Sequence, residues 1–245
     1  MLLLDFDGVV CDALLECALV TWFGLHVVPE FDVVSVAVEA LARLPEDFVR
    51  AFRTVRDYSR TLDRFVVAHL AEAAAIGDQA RFDELFARLP PELVARFVAG
   101  AGAVRSALRS RQPEFWLGLH TLYPGMPELL RRHAGKVAIV TAKDAGSVAD
   151  ILAHHGLADA VAHIEGECGD KAAAVSRICA EFLVEPAAAV FVDDNLANVL
   201  RVRETGARTR WALWGYHTAE HVAIAARERV VGIDRPSLID CGTPR

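Results

Sequence analysis

The sequence predicts an α/β protein: a doubly wound parallel sheet with an all-helical insertion after its first strand. Three observations predict it. From about residue 118, short continuous Val/Ile/Ala runs alternate with helical patterns, the texture of parallel strands covered on both faces. Residues 1–10 are an apolar run with nothing local to bury against, so they belong with that sheet. Between them, from about residue 12 to 117, the chain reads as helix after helix, rich in Ala, Leu, Arg and Glu. The expected organisation is a sheet domain of residues 1–14 and 118–245, with a helical domain of residues 15–117.

Taken in order, "LLLDFDGVV" reads as a buried strand broken at Gly8. The helical stretch has breaks at "VVPEFD", "LPED", "AIGD", "LPPE" and "RQPE", each carrying a turn or N-cap signal. Its segment "RFDELFARLPPELVARFVAGAGAVRSALRSR" spaces apolar residues near the helical period, with arginines between them. After it, "PGMPELLRRHAG" is a helix and "KVAIVTA" a buried strand. "AGSVADILAHHG" is a helix, "AVAHIEGE" a short strand and loop, and "DKAAAVSRICAEFL" a helix. "AAVFVDDN" is a second clear buried strand, "LANVLRVRETG" a helix and "RTRWALWGY" a strand. No internal repeat or low-complexity linker interrupts the series.

Composition narrows the function. The chain has 245 residues, of which 53% are hydrophobic, and a mean hydropathy of +0.28, enough apolar surface for a sizeable core. A net charge of −7 argues against gripping nucleic acid through its phosphates, which needs a basic face. The five cysteines, Cys11, Cys17, Cys168, Cys179 and Cys241, are odd in number and form no CxxC pair, so reduced thiols are expected rather than a disulfide framework. The N-terminal apolar run is short and lacks a basic leader, and no stretch of about 20 apolar residues exists. The expectation is a cytoplasmic protein without a membrane span.

Doubly wound sheets place ligands at the carboxyl ends of their strands. Those ends carry Asp5 and Asp7, then Thr141 and Lys143, then Asp193, Asp194 and Asn198, while Lys171 opens the helix before the last of these strands. Hard oxygen donors in such a cluster suit Mg²⁺, which binds one or two carboxylates and leaves the rest of its octahedron to water and phosphate. A carboxylate approaching a phosphate is repelled by roughly 4 kcal/mol per pair of unit charges at ~4 Å and an effective dielectric of ~20. A divalent cation and an ammonium offset that repulsion.

"DFDGVVCD", "VTA", "GDK" and "VFVDDNLAN", in that order, resemble the four motifs of the haloacid dehalogenase superfamily, and "LYPGMPELL" and "WALWGY" are similar to its phosphatase branch. The resemblance covers about 140 residues on both sides of the insertion and implies a Rossmann-like core with a helical type-1 cap. It implies Asp5 as the nucleophile that forms an aspartyl-phosphate and Asp7 as the acid/base, with its carbonyl also reaching Mg²⁺. Thr141, Ala142, Lys171 and Gly8 would bind the phosphoryl group. Asp5, Asp7 and Asp194 would hold the metal, supported by Asp193 and Asn198. Asp7 separates phosphoryl transfer from dehalogenation, because a halide leaving group needs no proton. The implied function is Mg²⁺-dependent hydrolysis of a small phosphorylated metabolite. A sugar-phosphate mutase of the same superfamily shares the motifs and is the alternative. A phosphonatase would need a cap lysine, and residues 12–117 contain none. A receiver-type signalling module would place its acidic pair first. An inactive binding protein is hard to reconcile with a complete motif set.

Other residues read as structural or stay open. His217 and His221 have a zinc-compatible spacing but no third ligand. His154–His155 look like a helix C-terminus before Gly156. His163 and Cys168 are an unconvincing pair, and Cys11 lies just beyond the first motif. Arg53, Arg56, Arg60 and Arg64 read mostly as a solvated helix face. Glu16 and Trp22 either face a cleft or pack inside the helical part, and Lys143 approaches either phosphate or solvent.

Overall fold

The computed structural model describes residues 1–26, 44–59 and 61–240. The chain separates into two compact units, one of Met1–Asp12 with Thr121–Arg245 and one of Ala13–His120. The first, the sheet unit, begins with β1 (Leu2–Leu4) and the short β2 (Cys11–Asp12). It resumes with β3 (Thr121–Leu122), which pairs antiparallel with β2. After the helical unit's α1 (Leu14–His26), α2 (Glu46–Tyr58), α3 (Gln79–Ala87), α4 (Pro91–Arg111) and α5 (Pro113–Gly118), the elements that follow are α6 (Met126–Arg132), β4 (Val137–Val140), α7 (Ala145–His154), β5 (His163–Glu165), α8 (Lys171–Glu181), β6 (Val190–Asp193) and α9 (Leu196–Arg203). The unit closes with β7 (Arg208–Ala212), α10 (Ala219–Arg227), β8 (Gly232–Ile233) and α11 (Arg235–Asp240).

Six strands form one parallel sheet in the order β5-β4-β1-β6-β7-β8. β1 is central because the chain first builds outward on one side, through β4 to β5, and then returns to its other side with β6. That reversal is a topological switch point, where such sheets open a crevice at the strand ends. Register fixes what arrives there. Leu4 lies beside Ile139 on one flank and Val192 on the other, so Asp5, Thr141 and Asp193 all emerge at the same edge. The strands are short and fully apolar where they are central. All four residues of β4 are buried, as are Leu3, Leu4, Phe191 and Val192, and Ala174, Val175 and Ile178 of α8 cover one face. Asp144, Asp170 and Asn195 cap α7, α8 and α9 through side-chain oxygens that accept backbone N–H groups.

The opening strand is shorter than its apolar run suggests. It stops at Leu4 because Asp5 Oδ1 accepts the Phe6 N–H at 2.7 Å, and the Phe6 carbonyl then collects the N–H groups of Val9, Val10 and Cys11. Residues 6–10 are thus a tight loop rather than the continuation of β1. The two-stranded ribbon and β8 are too short to carry a periodic signal.

The helical unit contains α1 (Leu14–His26), α2 (Glu46–Tyr58), α3 (Gln79–Ala87), α4 (Pro91–Arg111) and α5 (Pro113–Gly118). Helix starts fall at the expected breaks: Pro45, Asp78, Pro90 and Gln112 are the N-cap residues. The "VVPEFD" break lies outside the described residues. Between α2 and α3 the chain forms a 3₁₀ run, Leu62–His69, long for that geometry and anchored by buried Phe65, Val66 and Val67. The core of this unit joins Phe48, Phe52, Val55, Phe82 and Phe97. Gly24 of α1 and Gly100 of α4 meet backbone to backbone, since a Cβ on Gly100 would lie 2.2 Å from the Gly24 carbonyl oxygen.

Candidate active site

At the switch point the buried carboxylates of Asp5, Asp193 and Asp194 offer oxygens within 4.8 Å of one another. Asp5 follows the last residue of β1, and Asp193 and Asp194 sit at the end of β6. Lys171, the first residue of α8, drives its ammonium between two of them, 2.9 Å from Asp5 Oδ1 and 2.8 Å from Asp193 Oδ2. Burial pushes the Asp5 carboxyl up to about 6, with Lys171 working against that shift and Asp193 reinforcing it. Burial also works to lower the Lys171 ammonium, but Asp193 and Asp5 outweigh it and the net shift is upward.

Asp193 and Asp194 differ in what holds them. Asp193 is fully buried; its Oδ1 accepts the Asn195 N–H at 2.7 Å, and its Oδ2 accepts Lys171 Nζ and, at 3.1 Å, Asn198 Nδ2. Asp194 Oδ2 accepts the Tyr216 N–H at 2.7 Å, and its carbonyl accepts the Trp211 indole N–H at 2.7 Å. The loop after β7 closes on the loop after β1, with Trp214 Nε1 donating to the Val9 carbonyl and the Tyr216 hydroxyl 3.2 Å from Asp12 Oδ1. Gly8 is required here: its φ is +94°, and a Cβ would lie 2.2 Å from Asp194 Oδ2. Its N–H donates to the Cys11 carbonyl at 2.8 Å.

The other flank is set by β4. Thr141 is buried and its Oγ1 accepts the Lys143 N–H at 3.2 Å, while Ala142 is exposed in the loop. Lys143 Nζ lies 3.0 and 3.3 Å from the two carboxylate oxygens of Asp7. From the sequence its partner is either phosphate or solvent; in the structure it is Asp7, a residue 136 positions away that only the fold could supply. Four carboxylates therefore face two ammonium groups, a formal charge of −2. Hard oxygen donors with that surplus fit a divalent cation.

A sequence profile of the haloacid dehalogenase-like hydrolases matches residues 1–201. The chain belongs to that family. Comparison with curated protein sequences returned no match. Among solved structures, this family member is similar to a haloacid dehalogenase-like hydrolase from Streptococcus pneumoniae (15% identity, TM-score 0.62, covering 98% of this chain and 95% of that one). It is similar to a protein from Haemophilus somnus described as a predicted phosphoglycolate phosphatase (18%, 0.64, 98% and 95%). It also resembles one from Clostridium acetobutylicum described as a predicted phosphatase (14%, 0.65, 98% and 96%). At these identities the likeness establishes the shared fold.

The remaining candidates lie elsewhere. His221 is in α10, but its Nδ1 accepts the Thr218 N–H in a capping box, and His217 Nδ1 donates to the Gly215 carbonyl outside that helix. The pair serves local structure rather than a zinc site. α7 ends at His154 with His155 as C-cap. His163 faces Glu165 at 3.3 Å, and burial pushes the Cys168 thiol up, away from a reactive thiolate. Cys11 is buried in β2. Arg53 is exposed, Arg56 lies over the Phe65 ring and Arg64 pairs with Asp83 at 2.5 Å; Arg60 lies outside the described residues. Trp22 stacks on His26. Glu16 is fully buried within the helical unit and takes a two-pronged contact from Arg105, at 2.6 and 3.0 Å. No described helix is long and apolar enough to cross a membrane.

Proposed function

We propose that this hydrolase is a Mg²⁺-dependent phosphatase of a small phosphorylated metabolite, with residues 15–117 as its cap and Asp5 as its nucleophile. The observation that carries the reading is the Asp5 carboxylate at the switch point, paired to Lys171 at 2.9 Å and neighboured by Asp193 and Asp194, with a second acid, Asp7, two residues on. Asp5, Asp194 and the Asp7 carbonyl are the residues to hold Mg²⁺, with Asp193 and Asn198 supporting them. When bound, the ion supplies charge neutralisation and polarises the phosphoryl oxygens.

The chain's own groups account for the rest. An Asp5 oxygen attacks phosphorus as the ester P–O bond breaks, and Asp7 gives its proton to the departing oxygen. Lys171 compensates the charge gathered between Asp5 and the phosphoryl group. Thr141 and the Ala142 backbone bind phosphoryl oxygens, and Gly8 contributes by its missing side chain. Asp7 then takes a proton from water, the water oxygen attacks phosphorus, the Asp5–phosphorus bond breaks, and inorganic phosphate leaves.

The test is turnover of a panel of phosphorylated metabolites, including phosphoglycolate because two structural neighbours carry that name. The expected result is stoichiometric release of inorganic phosphate, dependent on Mg²⁺ and abolished in Asp5→Asn. Transfer of the phosphoryl group to a second hydroxyl without free phosphate would establish the mutase reading, and no turnover by metal-loaded protein would overturn both.

A further inference from the structure

The phosphatase reading uses Lys171 but gives no task to the second buried lysine. Lys143 has only 3% of its side chain exposed, and its ammonium lies against both oxygens of Asp7, whose side chain is 16% exposed. Burying an ammonium is costly unless it is paired, so this contact is built rather than incidental. Its framework is also fixed from the backbone outward. The Thr141 N–H donates to the Glu165 carbonyl at 2.9 Å, and the Cys168 N–H donates to the Thr141 carbonyl at 2.9 Å. The Glu167 N–H donates to the Lys143 carbonyl at 3.0 Å. The loop after β4 is thus held along its length by the loop after β5. Gly166 permits that contact, since a Cβ there would lie 2.4 Å from the Ala145 nitrogen.

Asp7 needs such a partner. It sits in the tight loop beyond β1, and a displacement of about 1 Å from the leaving oxygen can cost roughly 100-fold in rate. We propose that Lys143 is a positioning residue for phosphoryl transfer: it holds the Asp7 carboxylate in place to protonate the leaving group. The inference rests on the assignment of Asp7 as acid/base. An ammonium 3.0 Å away also stabilises the carboxylate that remains once the proton has gone to the departing oxygen. Lys143 need not touch substrate for either effect, and this separates it from a phosphate ligand such as Lys171.

The experiment compares wild type, K143M, K143R and D7N, each with Mg²⁺, on aryl phosphates whose leaving groups range from 2,4-dinitrophenol to phenol. The constant followed is kcat/KM, which reports steps through the first phosphoryl transfer, with inhibition by inorganic phosphate measured alongside. A good leaving group needs little protonation and a poor one needs much. K143M should therefore lose roughly 100-fold on phenyl phosphate and less than about threefold on 2,4-dinitrophenyl phosphate. D7N should show the same trend more steeply, K143M combined with D7N should add little to D7N alone, and K143R should recover most of the loss. Inhibition by phosphate should be unchanged. A uniform loss across leaving groups with weakened phosphate inhibition would make Lys143 a phosphate ligand and overturn the proposal. A K143M profile parallel to wild type would overturn it too. If D7N itself shows no leaving-group trend, the acid/base assignment fails, and this inference with it. Should K143M fold poorly, the K143Q profile against K143R carries the same comparison.

Discussion

The sheet unit and the helical unit each bury a cluster of charge, and the two are built in opposite ways. In the helical unit one carboxylate, Glu16, meets one guanidinium, Arg105, through two hydrogen bonds, with the Trp116 indole N–H 3.4 Å from Glu16 Oε1. These contacts tie α1 to α4 and α5. In the sheet unit Asp5, Asp7, Asp193 and Asp194 share Lys171 and Lys143, and negative charge is left over. The first arrangement links three helices of one unit. The second is left with a negative surplus that a cation would balance. A buried ion pair thus signals function by its imbalance rather than by its burial.

Substitution at each cluster should separate the two properties. Asp5→Asn should lower phosphatase turnover by at least roughly 10⁴-fold, as removal of a nucleophile does. Its thermal midpoint in chelator-treated protein should be no lower than that of wild type, because asparagine lacks the charge that burial opposes. Retention of more than about 1% of the activity in Asp5→Asn would remove Asp5 from its role. Glu16→Gln should do the reverse: it removes the charge from a two-pronged contact with Arg105, whose side chain is only 20% exposed, and should cost about 2–4 kcal/mol in denaturant unfolding. Replacing both partners, Glu16→Leu with Arg105→Met, should recover most of that loss. A double variant no better than the single one would show that the pair contributes more than charge matching. Gly8→Ala comes next, with about 1–3 kcal/mol expected from its positive φ and its approach to Asp194, measured by unfolding alongside metal affinity.

The smallest effect is the helical unit's own contribution to pH dependence. Burial lowers the pKa of His69 below its ordinary 6.5, and its Nε2 donates to the Thr21 carbonyl at 2.9 Å. The unfolded chain therefore binds a proton before the folded one does, and stability falls as the pH drops below 6.5 towards the lowered folded value. His69→Gln should flatten that slope in unfolding curves recorded between pH 7 and 5, leaving the neutral-pH midpoint close to wild type. An unchanged slope would assign the acid sensitivity to other groups.

Much of the sheet was legible because central parallel strands are continuous apolar runs. "KVAIV" and "AAVFVDD" announce β4 and β6, and the polar residues that end them must emerge at one edge. Cap residues such as Asp144 and Asp170 mark their helices for a local reason: the side chain serves the backbone two or three positions on. What could not be read was pairing across the chain. Lys143 with Asp7 and Glu16 with Arg105 are 136 and 89 positions apart, and no periodicity encodes either. The end of β1 was obscured for a different reason. Val9 and Val10 look like strand, but hydrogen bonds to the Phe6 carbonyl and the positive φ of Gly8 turn them into a loop.

The β2–β3 ribbon has a further consequence. The chain leaves the sheet unit at Asp12 and comes back at Thr121, and those two residues are partners in one antiparallel pair. Seen from the sheet, everything between them is a hairpin turn, whatever its length. The entropy of closing such a turn grows only slowly with the number of residues it encloses. Residues 13–120 can therefore be exchanged for another folded segment whose ends meet the same pair without disturbing the strand register.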